Sequence, residues 1–148
     1  HTMEELKVLF HGSSNKLIGD KLNPSQGDDS DERPENNQFG VYATDRKDLA
    51  IVMGILGCKD VVGGSIDEYQ EGKLNARIYG KFPKQEYIYV YHLPVETFKQ
   101  TEIDKHQFVS LVAVKPIKVE KLEVKDFTHL IQKATKEETD YWMKKYGK

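Results

Sequence analysis

The segment Glu86-Tyr87-Ile88-Tyr89-Val90-Tyr91-His92 constrains the fold more than any other stretch of this chain. Tyrosines at period two place Tyr87, Tyr89 and Tyr91 on one face of an extended strand, with Ile88 and Val90 on the other. Pro94 ends the run. Leu6 to Phe10 is short, apolar and largely unbroken, the pattern of a buried strand, and Gly12 closes it. Gly40 to Thr44 reads as another strand. Asp45 then stands where a helix N-cap belongs, before a short helix from Asp48 to Leu56 that Gly57 ends.

Weaker strand patterns run from Val61 to Ile66 and from Ala76 to Phe82, around Gly63, Gly64 and Gly72. Phe108 to Val114 is an apolar strand, and Pro116 separates it from a further one, Ile117 to Val124. There Ile117, Val119, Leu122 and Val124 break strict alternation, which places a bulge near Lys121. Phe127, Leu130, Ile131 and Ala134 recur at helical spacing. Thr135-Lys136-Glu137-Glu138 has the capping-box pattern and opens a last helix through Tyr141, Trp142 and Tyr146. The sum predicts an α+β domain of mostly antiparallel strands, with one early helix and helical cover at the end.

At 148 residues the chain is long enough for one core, so residues 4–148 read as a single domain. His1-Thr2 before Met3 reads as a tag remnant. Residues 23–38 form an acidic, mobile loop with little to bury, either a solvated insertion or a lid beside a ligand slot. A net charge of -2 gives no general pull toward nucleic acid or anionic membranes. The one cysteine, Cys58, excludes an internal disulfide framework and leans toward a reducing compartment. No apolar run approaches the roughly 20 residues that span a bilayer, and the first residues lack a signal-peptide pattern. The expectation is a cytoplasmic protein.

Two short motifs carry the chemistry: Leu9-Phe10-His11-Gly12-Ser13 and Phe39-Gly40-Val41-Tyr42-Ala43-Thr44-Asp45. A strand ending in His-Gly-Ser offers an imidazole and an open backbone at one point. A lone His there is usually structural, but the following Gly lets a ligand approach the main chain, whose N–H and C=O match a carboxamide. Tyr42 on the second strand offers an aromatic face. Together they describe a slot for a flat, amide-bearing ring such as nicotinamide, and so a protein that handles NAD.

These motifs resemble the ADP-ribosyltransferase superfamily, in its His-Tyr-Glu branch of diphtheria toxin, the poly(ADP-ribose) polymerases and the rifamycin-modifying transferases. The resemblance runs from Leu9 to about Val124 and implies a split antiparallel-sheet fold. It implies that His11 hydrogen-bonds a ribose, that the Gly12 backbone pairs with the nicotinamide carboxamide beside Ser13, and that Tyr42 stacks on the nicotinamide. Lys47 to Gly54 then matches the family's helix of small residues, with Ala50 as its small residue. Ile51, Val52 and Met53 stand where polymerase-like members carry a second Tyr.

The family's catalytic acid opens a late strand, and the matching segment here is Gln107-Phe108-Val109-Ser110-Leu111-Val112. Gln107 therefore replaces Glu. A carboxylate favours the oxocarbenium-like transition state by its charge, and a neutral amide does so less well. Glu96 is the best substitute acid by the resemblance, and Glu102 and Asp104 lie just before Gln107. The expected function is mono-ADP-ribosyl transfer from NAD, without a metal, to a small molecule, protein or nucleic acid. The alternatives are a catalytically silent module that binds NAD, ADP-ribose or a protein partner, and an RNA 2′-phosphotransferase-like enzyme. The last fits poorly with only three arginines, Arg33, Arg46 and Arg77. His92, His106 and His129 show no metal-ligand spacing. The lysines interleaved with Trp142 and Tyr146 read as a solvated face, with nucleic-acid contact as the alternative.

Overall fold

A computed structural model describes residues 6–26, 39–70 and 72–147. The greater part of the expected acidic loop, residues 27–38, lies outside the described residues. The elements are β1 (Leu9–Ser13), β2 (Ser25–Gln26), β3 (Phe39–Thr44), α1 (Lys47–Leu56), β4 (Gly63–Gln70), β5 (Lys73–Tyr79) and β6 (Tyr87–Leu93). They continue with β7 (Phe98–Gln100), β8 (Gln107–Ser110), β9 (Lys118–Glu123), β10 (Ile131–Lys133) and α2 (Lys136–Tyr146). The chain is α+β. Its larger sheet is antiparallel, in the order β7-β8-β3-β1-β6-β9, with β2 added on β3. A smaller sheet, β10-β5-β4, joins an antiparallel hairpin to a parallel third strand.

Alternation along β1 and β6 divides the interior into two cores. Ile88 and Val90 pack with Ala50, Val52 and Ile55 of α1 and with Ala76 and Ile78 of β5. Tyr91 and Leu93 face the other way, with Leu9, Val41, Ala43, Phe98, Phe108 and Val114. The tyrosine-rich strand is thus a central strand buried on both faces.

The structure corrects several sequence expectations. Gly12 lies inside β1 rather than closing it. Asp45 does not cap α1: the N-cap residue is Arg46, without a side-chain cap, because the Asp45 carboxylate is bonded to His106 Nδ1 at 2.9 Å. The strand from Phe108 stops at Ser110, whose hydroxyl donates to the Val112 carbonyl and accepts from the Val112 N–H. That local loop competes with the ladder and leaves Leu111 and Val112 exposed.

No bulge occurs near Lys121, since β9 pairs with β6 in unbroken register from Tyr87↔Glu123 to His92↔Lys118. The irregular spacing arises because Ile117 and Val124 lie outside the strand. Nor is there a helix across Phe127 to Ala134. Two 3₁₀ turns, Val124–Asp126 and Thr128–Leu130, lead into β10, which pairs with β5. Val124, Phe127 and Leu130 recur every third residue, the repeat of 3₁₀ structure, and pack on the α1-side core. The capping box is present: Thr135 and Glu138 bond each other reciprocally at the start of α2.

Candidate functional site

The site is built where β1 and β3 stop pairing. These neighbours share a single register pair, Phe10↔Thr44. Beyond it β1 continues with β6 alone through Ser13↔Tyr89, and β3 continues with β8 through Val41↔Ser110. A gap therefore opens between Gly12 and Ser13 on one side and Val41 and Tyr42 on the other. His11 bridges it, with Nδ1 2.6 Å from the Tyr42 carbonyl oxygen.

Strand alternation fixes which backbone groups face this gap. The Tyr42 carbonyl points toward β1, so the N–H and C=O of Thr44, two residues on, do the same. Phe10, paired to Thr44, points its own groups back at β3, and so does Gly12 two residues further. Two other bonds agree with this phasing. Thr101 N–H donates to the Gln107 carbonyl and Ile117 N–H to the His92 carbonyl, each on the side that the alternation demands. The Gly12 N–H and C=O thus face the gap at the point where the ladder has ended.

The helix α1 roofs one face of the gap. A Cβ at Gly12 would lie 1.7 Å from the Ala50 carbonyl oxygen, and one at Gly54 would lie 3.3 Å from the Ser13 nitrogen. The Ala50-x-x-x-Gly54 spacing puts both small residues on the helix face against β1, so that backbone meets backbone. Ala50 is fully buried. Tyr42 shares the parity of Thr44 and so lies toward α1. His11 has the opposite parity and stands beside Tyr91, their ring centroids 6.3 Å apart. The imidazole and the phenol thus approach the gap from opposite faces.

Burial lowers the His11 pKa, partly offset by the Tyr42 carbonyl, and keeps the ring neutral near pH 7. A carbonyl only accepts, so Nδ1 carries the proton and Nε2 is an acceptor suited to a hydroxyl group. Ser13 Oγ accepts from Asn15 N–H at 3.1 Å. Ile51 and Val52 are buried and Met53 is exposed, so no second aromatic closes the gap from α1.

Gln107 pairs with Thr44, at the closed end of the gap and one strand beyond it. Its Oε1 is buried with no hydrogen-bond partner. Glu96 is exposed in the turn before β7, at the opposite end of β8 from Gln107, because Phe98 pairs with Ser110. The structure therefore separates these two candidates. Glu102 is exposed, and Asp104 builds the turn into β8, accepting from the Gln107 and His106 N–H groups.

Two polar clusters beside α1 were not singled out by sequence. His106 pairs with Asp45, and Glu120 accepts from both Lys47 and His92 at 2.6 Å. The Lys47 ammonium, ahead of His92, holds the Glu120 carboxyl below the usual carboxylate range. No local spacing could reveal either, because the partners lie on different elements. A separate cleft of about 370 Å³, lined by Phe82, Gln85, Glu86, Glu123, Lys125 and Thr128 among others, includes none of the expected site residues. Cys58 is buried, its thiol donating to the Gly54 carbonyl, and burial ahead of nearby Asp60 pushes its pKa up to about 11. No helix among the described residues is long and apolar enough to cross a membrane.

No family model, curated protein or solved structure matches the chain.

Proposed function

We propose that this chain is an NAD-dependent mono-ADP-ribosyltransferase with the split-sheet fold of that superfamily. The gap carries the proposal: a neutral imidazole, a Gly12 peptide beyond the end of the β1–β3 ladder and the Tyr42 strand converge where two antiparallel strands part company. The Gly12 N–H and C=O offer the donor and acceptor that a carboxamide needs, and His11 Nε2 offers an acceptor for a ribose hydroxyl. Tyr42, across the gap from Gly12, supplies a ring for stacking. In the reaction the bond from ribose C1′ to nicotinamide breaks, nicotinamide leaves, and a nucleophile of the acceptor bonds to C1′.

Gln107 sets the rate in this scheme. An amide carbonyl in place of the family's carboxylate can accept from a 2′-hydroxyl but brings no negative charge to the developing cation. Loss of one such electrostatic contact costs roughly two to three decades in rate.

A binding module without turnover is the second reading, and the position of Gln107 favours it. The Oε1 atom is shut away from solvent one strand beyond the gap. Nothing comparable favours the phosphotransferase. Arg77 is engaged by Glu138 and Arg46 by Asp48 and the Gly72 carbonyl, while Arg33 lies outside the described residues.

Calorimetric titration with NAD, beside Tyr42→Ala and with nicotinamide release assayed on the same samples, tests the proposal. We expect binding by the wild type that weakens at least about tenfold in the variant, a loss of ~1.4 kcal/mol consistent with an aromatic contact. Slow nicotinamide release would identify an enzyme. Binding without release, across small-molecule, protein and RNA acceptors, would select the silent module, and a folded wild type that ignores NAD would end both readings.

A further inference from the structure

Had the ladder continued past Phe10↔Thr44, Gly12 N–H would donate to the Tyr42 carbonyl. That oxygen instead lies 2.6 Å from His11 Nδ1. We infer that His11 is a wedge, whose imidazole takes the carbonyl that Gly12 would otherwise bond and so holds β1 and β3 apart with the Gly12 peptide open to a ligand.

Paired strands run about 4.8 Å apart, and a ring bonded across the space between them props them wider. Neither strand needs to distort, because each is fixed along its other edge. β1 pairs with β6 at every residue from Leu9 to Ser13, and β3 pairs with β8 from Val41 to Thr44. The parting is confined to the one interface that the imidazole bridges. Gly12 could not be opened from the α1 side, where the Ala50 carbonyl already abuts its Cα. His11 is thus a positioning residue acting through Gly12. The proposed function enters only as the identity of the ligand.

Residue-resolved amide hydrogen exchange on the wild type, His11→Ala and His11→Gln tests the wedge, with NAD titrated into the same samples. In the wild type, Gly12 N–H should exchange at least about tenfold faster than the ladder-bonded Phe10 N–H. In His11→Ala the strands should zip by one bond and bring the two rates together. The Gln side-chain amide can donate to the Tyr42 carbonyl, so His11→Gln should keep Gly12 exchange fast where His11→Ala slows it. Equal protection of Gly12 and Phe10 in the wild type overturns the wedge, and this comparison stands even where a variant fails to fold. An unchanged Gly12 rate in folded His11→Ala overturns it as well. The expected exchange pattern without any NAD binding supports the wedge and removes the nicotinamide reading alone.

Discussion

At the scale of single residues, the proposed reaction turns on one uncharged side chain. Gln107 buries a carbonyl oxygen with no partner, which costs about 1–3 kcal/mol relative to a satisfied group. Restoring a carboxylate there should raise nicotinamide release roughly 10²–10³-fold in Gln107→Glu. A steady-state release assay reads this directly, and no gain in a folded, NAD-binding variant would show that position 107 does not face the ribose. The two motifs were legible at this scale because residue type alone states their chemistry: imidazole, bare backbone, aromatic ring. What could not be read was which backbone groups were left over. That depends on where pairing stops, and β1 and β3 stop pairing through contacts between residues 31 apart, His11 and Tyr42.

Among the elements, α1 packs on β1 with backbone against backbone. Gly12 was expected to admit a ligand; in the structure its absent side chain admits the helix. In Gly12→Ala the added methyl would meet the Ala50 carbonyl at 1.7 Å, so backbone must shift. Overpacking of this kind typically costs about 1–3 kcal/mol. A lowered denaturation midpoint should be measured, together with loss of NAD binding; a variant of wild-type stability would mean that α1 sits further from β1. Strand identity was readable wherever alternation was clean, as in β6. It failed at Ser110 and across Val124 to Ala134. In the first a hydroxyl diverts the backbone, and in the second 3₁₀ turns imitate helical spacing until β10 pairs with a strand some fifty residues earlier.

For the whole molecule, two cores on either side of one sheet follow from the alternation of β1 and β6, and the α+β class was legible for that reason. The polar ties that join distant elements were not. Lys47 of α1, His92 of β6 and Glu120 of the edge strand β9 meet in one network. Folding lowers the Glu120 pKa, so this network stabilises the fold above the ordinary glutamate range and fades as pH falls through the lower, folded value. Denaturant midpoints measured from neutral to acidic pH should fall less steeply for Glu120→Gln than for the wild type. Identical slopes would mean that the network adds nothing to acid sensitivity.

Cys58 adds a practical consequence. With its thiol sealed beneath α1 and its pKa near 11, it is almost wholly protonated at neutral pH and out of reach of alkylating reagents. The native protein is therefore already a blank background for thiol chemistry. Cysteines introduced on opposite sides of the gap, at Ser13 and Tyr42, can be spin-labelled without removing Cys58, and the width of the opening can be measured as a distance distribution in solution.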